Sequence, residues 1–112
     1  MRTPTLIALV FLCGCTTEAE LRTRAAIWTE TVAGADYRAL AECTHARLSS
    51  PVVQLAIDPV AQRSRVFNEH NSWEVAFIPT SRGVLVEHRR APAVVLPRRE
   101  EVHSAILSCT AR

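Results

Sequence analysis

Residues 73–90 read WEVAFIPTSRGVLVEHRR, and this stretch decides the fold. From Trp73 to Ile78 apolar and polar positions alternate. Trp73, Val75 and Phe77 fall to one side; Glu74, Ala76 and Ile78 fall to the other. A period of two is the mark of a strand. Pro79-Thr80-Ser81-Arg82-Gly83 turns the chain. Val84 to Arg90 then forms a second strand, with Val84, Val86 and His88 opposite Leu85, Glu87 and Arg89. The connection is short, so the two strands pair antiparallel. The buried face carries Trp73, Val75 and Phe77 beside Val84 and Val86. Glu74, Glu87 and Arg89 belong on the other, wetter face.

Upstream, Val53, Leu55 and Ile57 alternate with Val52, Gln54 and Ala56 in a further strand. Asp58-Pro59 is a turn signal. Val60 to Glu69 reads as another strand, with Arg63, Arg65 and Phe67 sharing one face and Ser64, Val66 and Asn68 the other. His70-Asn71-Ser72 is a short loop. The expectation is an antiparallel meander of three to four strands.

Helical spacing flanks the meander. Leu21, Ala25, Trp28 and Val32 recur on one helical face. Gly34 interrupts, and Asp36 is an N-cap for a new start. Tyr37, Leu40, Ala41, Thr44 and Leu48 follow one face again, with Cys43 beside it. The spacing predicts a kinked pair of helices, 19–33 and 36–48. After the apolar link Ala91–Leu96, Pro97 suits the first turn of a last helix. Glu100 and Glu101 suit its positive end. Val102, Ala105, Ile106 and Cys109 form its apolar stripe.

The first fifteen residues, MRTPTLIALVFLCGC, have a different character. Arg2 is followed by an apolar run from Thr5 to Leu12. That run is far below the roughly 20 residues that span a bilayer, but it suits a signal-peptide core. Leu12-Cys13-Gly14-Cys15 then has the form of a lipobox. The stretch resembles a bacterial lipoprotein precursor. The resemblance implies a signal peptide over residues 1–14, cleavage before Cys15 and acylation of Cys15. Cys13 is a poorer acceptor because bulky Leu12 precedes it. Two or more acyl chains anchor a protein durably where one holds it marginally. Thr16 follows the acylated residue where Asp does not, which by the same resemblance implies the outer membrane. The polar stretch 15–20 reads as a spacer and 21–112 as a single α+β domain.

Four cysteines allow three pairings. On the lipoprotein resemblance, Cys13 leaves with the leader and Cys15 carries lipid. The resemblance thus implies a Cys43–Cys109 disulfide, formed in an oxidising periplasm. Such a bridge staples the 36–48 helix to the last one and puts both on one face of the meander. The expected order is α-α-β-β-β-β-α. The chain is also similar to small envelope lipoproteins of unknown function. The similarity lies in Tyr37-x-x-Leu40-Ala41-x-Cys43, in Trp73-x-Val75-x-Phe77 and in the late Cys109. It implies the same fold and no activity. The start of NTF2-like domains is similar to Trp28…Gly34-x-Asp36, but the remainder is too short for their cone-shaped fold.

Little points to catalysis. Gly-x-Ser-x-Gly, HExxH and paired CxxC are absent from the sequence. His103 and Ser104 are adjacent on a helix, about 100° apart, and form no dyad. His45, His70, His88 and His103 lack close ligand spacing, so neither a metal site nor a cofactor is expected. His45 and His103 lie on the two bridged helices and could approach one another; the plainer reading leaves both exposed. Trp28 and Trp73 read as core. A patch at Ala76, Ile78 and Leu85 could take a partner.

The net charge of +2 gives no reason to expect a nucleic-acid partner. All 13 cationic side chains are arginine. Arg89, Arg90, Arg98 and Arg99 cluster across one loop and form a candidate anion site, since guanidinium pairs well with phosphate and carboxylate. The functional expectation is a non-enzymatic interaction module, membrane-held through Cys15, facing the periplasm from the outer membrane, with an envelope protein as partner. A binder of lipid headgroup, lipopolysaccharide or glycan is the alternative.

Overall fold

The computed structural model describes residues 17–110. The leader, Cys13 and Cys15 lie outside the described residues. The elements are α1 (Glu18–Arg22), β1 (Trp28–Val32), α2 (Tyr37–Leu48), β2 (Val53–Asp58), β3 (Arg63–Asn68), β4 (Trp73–Thr80), β5 (Gly83–Arg90) and α3 (Arg99–Thr110). The fold is α+β. Its antiparallel sheet has five strands, ordered β1-β5-β4-β3-β2.

The meander from β2 to β5 follows the alternation of its residues. Val66 faces Val75, Phe77 faces Val86, and Val75 faces His88 across the ladders. Trp73, Val75, Phe77, Val84 and Val86 are all buried with Leu40, Ala41, Val102 and Ile106 of α2 and α3. The inner face and its two covering helices are therefore as expected. Cys43 and Cys109 are bridged across those helices, with their Cα atoms 5.9 Å apart. Asp36 caps α2 by accepting the Ala39 amide at 2.9 Å. Ser49, left-handed at φ 37°, ends it.

The helix expected over 19–33 is not formed. Its first part is α1, which begins within the stretch expected as a spacer. Its second part is strand β1, paired along β5 from Trp28↔His88 to Val32↔Val84. Leu21, Ala25, Trp28 and Val32 do fall on a helical face, but Trp-Thr-Glu-Thr-Val is rich in aromatic and β-branched residues that prefer a strand. Pairing with β5 decides between the two, so the sheet gains a fifth strand. Gly83 is needed at this junction: a Cβ there would lie 2.3 Å from the Val32 carbonyl oxygen.

The other face of the sheet is also not as expected. Glu74 is fully buried, and so is Leu21 of α1, which crosses this outer face. Glu87 and Arg89 are half-buried and paired at 3.0 Å. The outer face is covered beneath α1, where the sequence suggested a wet one.

Candidate functional site

Two arrangements of polar side chains lie on opposite faces of the sheet. The outer one centres on Glu74. Its Oε1 accepts from Arg65 Nε at 2.7 Å, and its Oε2 lies 3.6 Å from Arg22 Nε. Arg65 donates Nη2 to Asn71 Oδ1 at 2.7 Å and lies 3.3 Å from Glu18 through Nη1. Its guanidinium also stacks over Phe67, 3.8 Å from the ring centroid. Glu18 pairs with Arg22 one helical turn on. Every nitrogen of Arg65 thus has a partner, which is what burying a charge requires.

Arg63 is different. It lines a groove of about 360 Å³ between α1 and the β2–β3 hairpin, with Glu18, Arg22, Ala56, Asp58 and Ala61 among the walls. Its Nε is buried without a hydrogen-bond partner. Burial first, and then repulsion from Arg22, pull its pKa below the usual guanidinium value. Asp58 is its neighbour across the hairpin. Yet Asp58 Oδ1 is occupied by the Val60 and Ala61 amides at 3.0 Å each. The carboxylate across the hairpin from Arg63 thus spends one oxygen on the turn, while Glu74 and Glu18 act on Arg63 through space.

The inner arrangement lies under α3. His88 Nδ1 is 3.1 Å from His103 Nε2, and the Trp28 ring stacks on His103 with centroids 4.3 Å apart. Trp73 meets His88 edge-on. Burial, then Arg90, His103 and Arg99, push the His88 pKa down to about 3. His103 is also lowered, by burial and then Arg99. Both rings are neutral at pH 7, one donating and one accepting. His88 Nε2, Trp73 Nε1 and Arg90 Nη1 are buried without partners.

The facing nitrogens of this pair are spent on each other and Arg90 and Arg99 flank it, which disfavours a metal cation there. Among the described residues, no three His, Cys, Asp or Glu side chains converge as metal ligands. Two histidines expected at the surface have other places. His45 Nε2 contacts the Val53 carbonyl at 3.0 Å, and His103 packs on His88 and Trp28. The two do not meet.

The four arginines marked as an anion site do not all come together: Arg90 and Arg99 act on one another, while Arg89 lies on the other face of the sheet. Arg89 and Arg90 are consecutive in β5 and point to opposite faces. Arg89 donates to the Arg24 carbonyl at 2.9 Å and pairs with Glu87. Arg90 donates to the Pro97 carbonyl at 2.5 Å, and burial, then repulsion from Arg99, pull its pKa below the usual guanidinium value. Arg98 and Arg99 are exposed at the start of α3. Sequence reasoning placed Arg63 and Arg65 on one face but did not see their site. The signal was there: two arginines in phase with Phe67, opposite Glu74 on the next strand.

No helix among the described residues is long and apolar enough to cross a membrane. No protein-family model, no curated protein and no solved structure matches this chain.

Proposed function

We propose that this chain is a lipid-anchored, non-enzymatic interaction module of the bacterial cell envelope, held on the outer membrane through acylated Cys15 and facing the periplasm. The observation that carries this reading is the Cys43–Cys109 disulfide between α2 and α3. Structural disulfides belong to oxidising compartments such as the periplasm. A lipobox ending at Cys15 supplies a route there. The absence of a catalytic motif in the sequence, and a histidine pair without a nucleophile, favour binding over catalysis.

Metabolic labelling with a palmitate analogue tests the anchor. The wild type takes up label and sediments with membranes; Cys15→Ser does neither. Equal labelling of both would remove the anchor from the account. Crosslinking in intact cells tests the partner: a specific envelope protein should be recovered, and recovery of background alone would contradict an interaction role.

A second reading, binding of an anionic envelope ligand, is favoured by one observation: Arg63 in the groove beside α1, with its Nε unpartnered. On this reading the anion site is there, and not at Arg89, Arg90, Arg98 and Arg99.

A further inference from the structure

α1, which walls the groove, is capped two residues after Cys15, the proposed anchoring residue. Thr17 is the N-cap of α1: its side chain accepts the Glu20 amide at 3.1 Å, and the Glu20 carboxylate accepts the Thr17 amide at 3.0 Å. α1 is then held on the sheet by fully buried Leu21, by Arg22 against Glu74 and by Glu18 against Arg65. Only one residue, Thr16, separates Cys15 from Thr17. Two residue steps span at most about 7 Å. An anchor at Cys15 therefore keeps α1 and its groove beside the lipid surface.

The rim of that groove fits such a surface. Val60, at the tip of the β2–β3 turn, is 93% exposed. It is followed by Ala61 in the groove wall and by Arg63. The carboxylates nearby have internal partners: Glu18 on Arg22 and Arg65, Glu20 on the Thr17 amide, Asp58 on two turn amides. Arg24, just beyond α1, is exposed. The face thus presents an apolar tip beside arginines, as surfaces resting on anionic headgroups do.

We infer that the outer sheet face, formed by α1, the β2–β3 turn, Val60 and Arg63, docks on the anionic headgroup layer of the membrane that holds the anchor. It leaves the α2–α3 face for a protein partner. The inference rests on the proposed anchoring at Cys15, and the test separates the two. Residues 15–112, with Cys43 and Cys109 bridged, are coupled in vitro through the Cys15 thiol to a maleimide lipid. The outcome is then independent of whether a cell acylates Cys15, which palmitate labelling reports separately.

The vesicles are phosphatidylglycerol, or phosphatidylcholine as the uncharged control, and contain a lipid with a photoreactive headgroup. In phosphatidylglycerol, crosslinks should concentrate in residues 17–24 and 58–65, at least about fivefold over residues 37–48 and 99–110. Arg63→Gln should lower the 58–65 signal about fivefold, the effect of one cation beside an anionic surface. Phosphatidylcholine should lower it at least as much. Val60→Ser, at an exposed tip that leaves folding intact, should lower it too. Crosslinks spread evenly, crosslinks concentrated on α2 and α3, or a signal indifferent to both Val60→Ser and lipid charge would overturn the inference.

Discussion

The two faces of the sheet reach the same burial by different chemistry. On β4, Trp73, Val75 and Phe77 point inward and Glu74 and Ala76 point outward, yet all five are fully buried. The inner face is apolar, packed under α2 and α3, and stapled by Cys43–Cys109. The outer face is sealed by an ion network under one short helix. Apolar burial tolerates local adjustment, because it is proportional to area and has no direction. The buried pair at its centre has no such tolerance: removal of Glu74 or Arg65 leaves the other as a desolvated charge. The inner face should therefore respond to loss of its staple, and the outer face to loss of a single carboxylate.

The largest effect should come from the staple. Cys43→Ser with Cys109→Ser opens a loop whose ends are 66 residues apart. The chain-entropy model gives a loss of about 4 kcal/mol, read as a shift of the urea midpoint. A loss under about 1 kcal/mol would mean that α2 and α3 hold the inner face without it.

Next comes Glu74→Ala, which strands Arg65 on the outer face. Glu18 and Asn71 remain as partners, so the expected loss is about 3 kcal/mol, the low end for breaking a buried pair. The double variant Glu74→Leu with Arg65→Met should fall within about 1 kcal/mol of wild type, because a packed apolar pair replaces both charges. A double variant no better than Glu74→Ala would contradict the network's dependence on mutual charge.

The third effect depends on pH and belongs to the inner face. His88 has a folded pKa of about 3, below its unfolded value near 6.5. The unfolded chain takes up a proton that the folded chain refuses. The contribution is therefore fully present above pH 6.5 and is lost as the pH falls from there toward 3. Between pH 7 and pH 5 it amounts to about 2 kcal/mol. His88→Leu should flatten that part of the stability profile; an unchanged profile would mean that His88 titrates normally. The smallest effect should be Glu18→Gln, a half-exposed partner of Arg22 and Arg65, at about 0.5 kcal/mol in a denaturant titration.

The difference between the faces also explains what could be read in the chain. Val84-x-Val86 beside Trp73-x-Val75-x-Phe77 marks its own burial, because apolar residues at period two have few alternatives. The α2 cap and the stripe of α3 were legible for the same reason. Glu74 was not. A carboxylate in phase with Ala76 and Ile78 looks solvent-facing unless its partner on another strand is known. Arg65 lies on β3 and Arg22 on α1, and no local pattern joins them to Glu74. β1 was hidden differently: Leu21, Ala25, Trp28 and Val32 fit a helix by spacing, and only pairing with β5 overrides it. His88 was legible as inward-facing from its phase with Val84 and Val86. Its contact with His103 was not, because it depends on how α3 lies across the sheet.

The bridge between Cys43 and Cys109 leaves Cys15 for the proposed lipid. The intact mass of the protein from native membranes, under non-reducing conditions, tests both at once. The account predicts an N-terminus at Cys15 bearing a diacylglyceryl group and no free thiol at Cys43 or Cys109. An unacylated N-terminus, or alkylation of Cys43 and Cys109 without prior reduction, would contradict it.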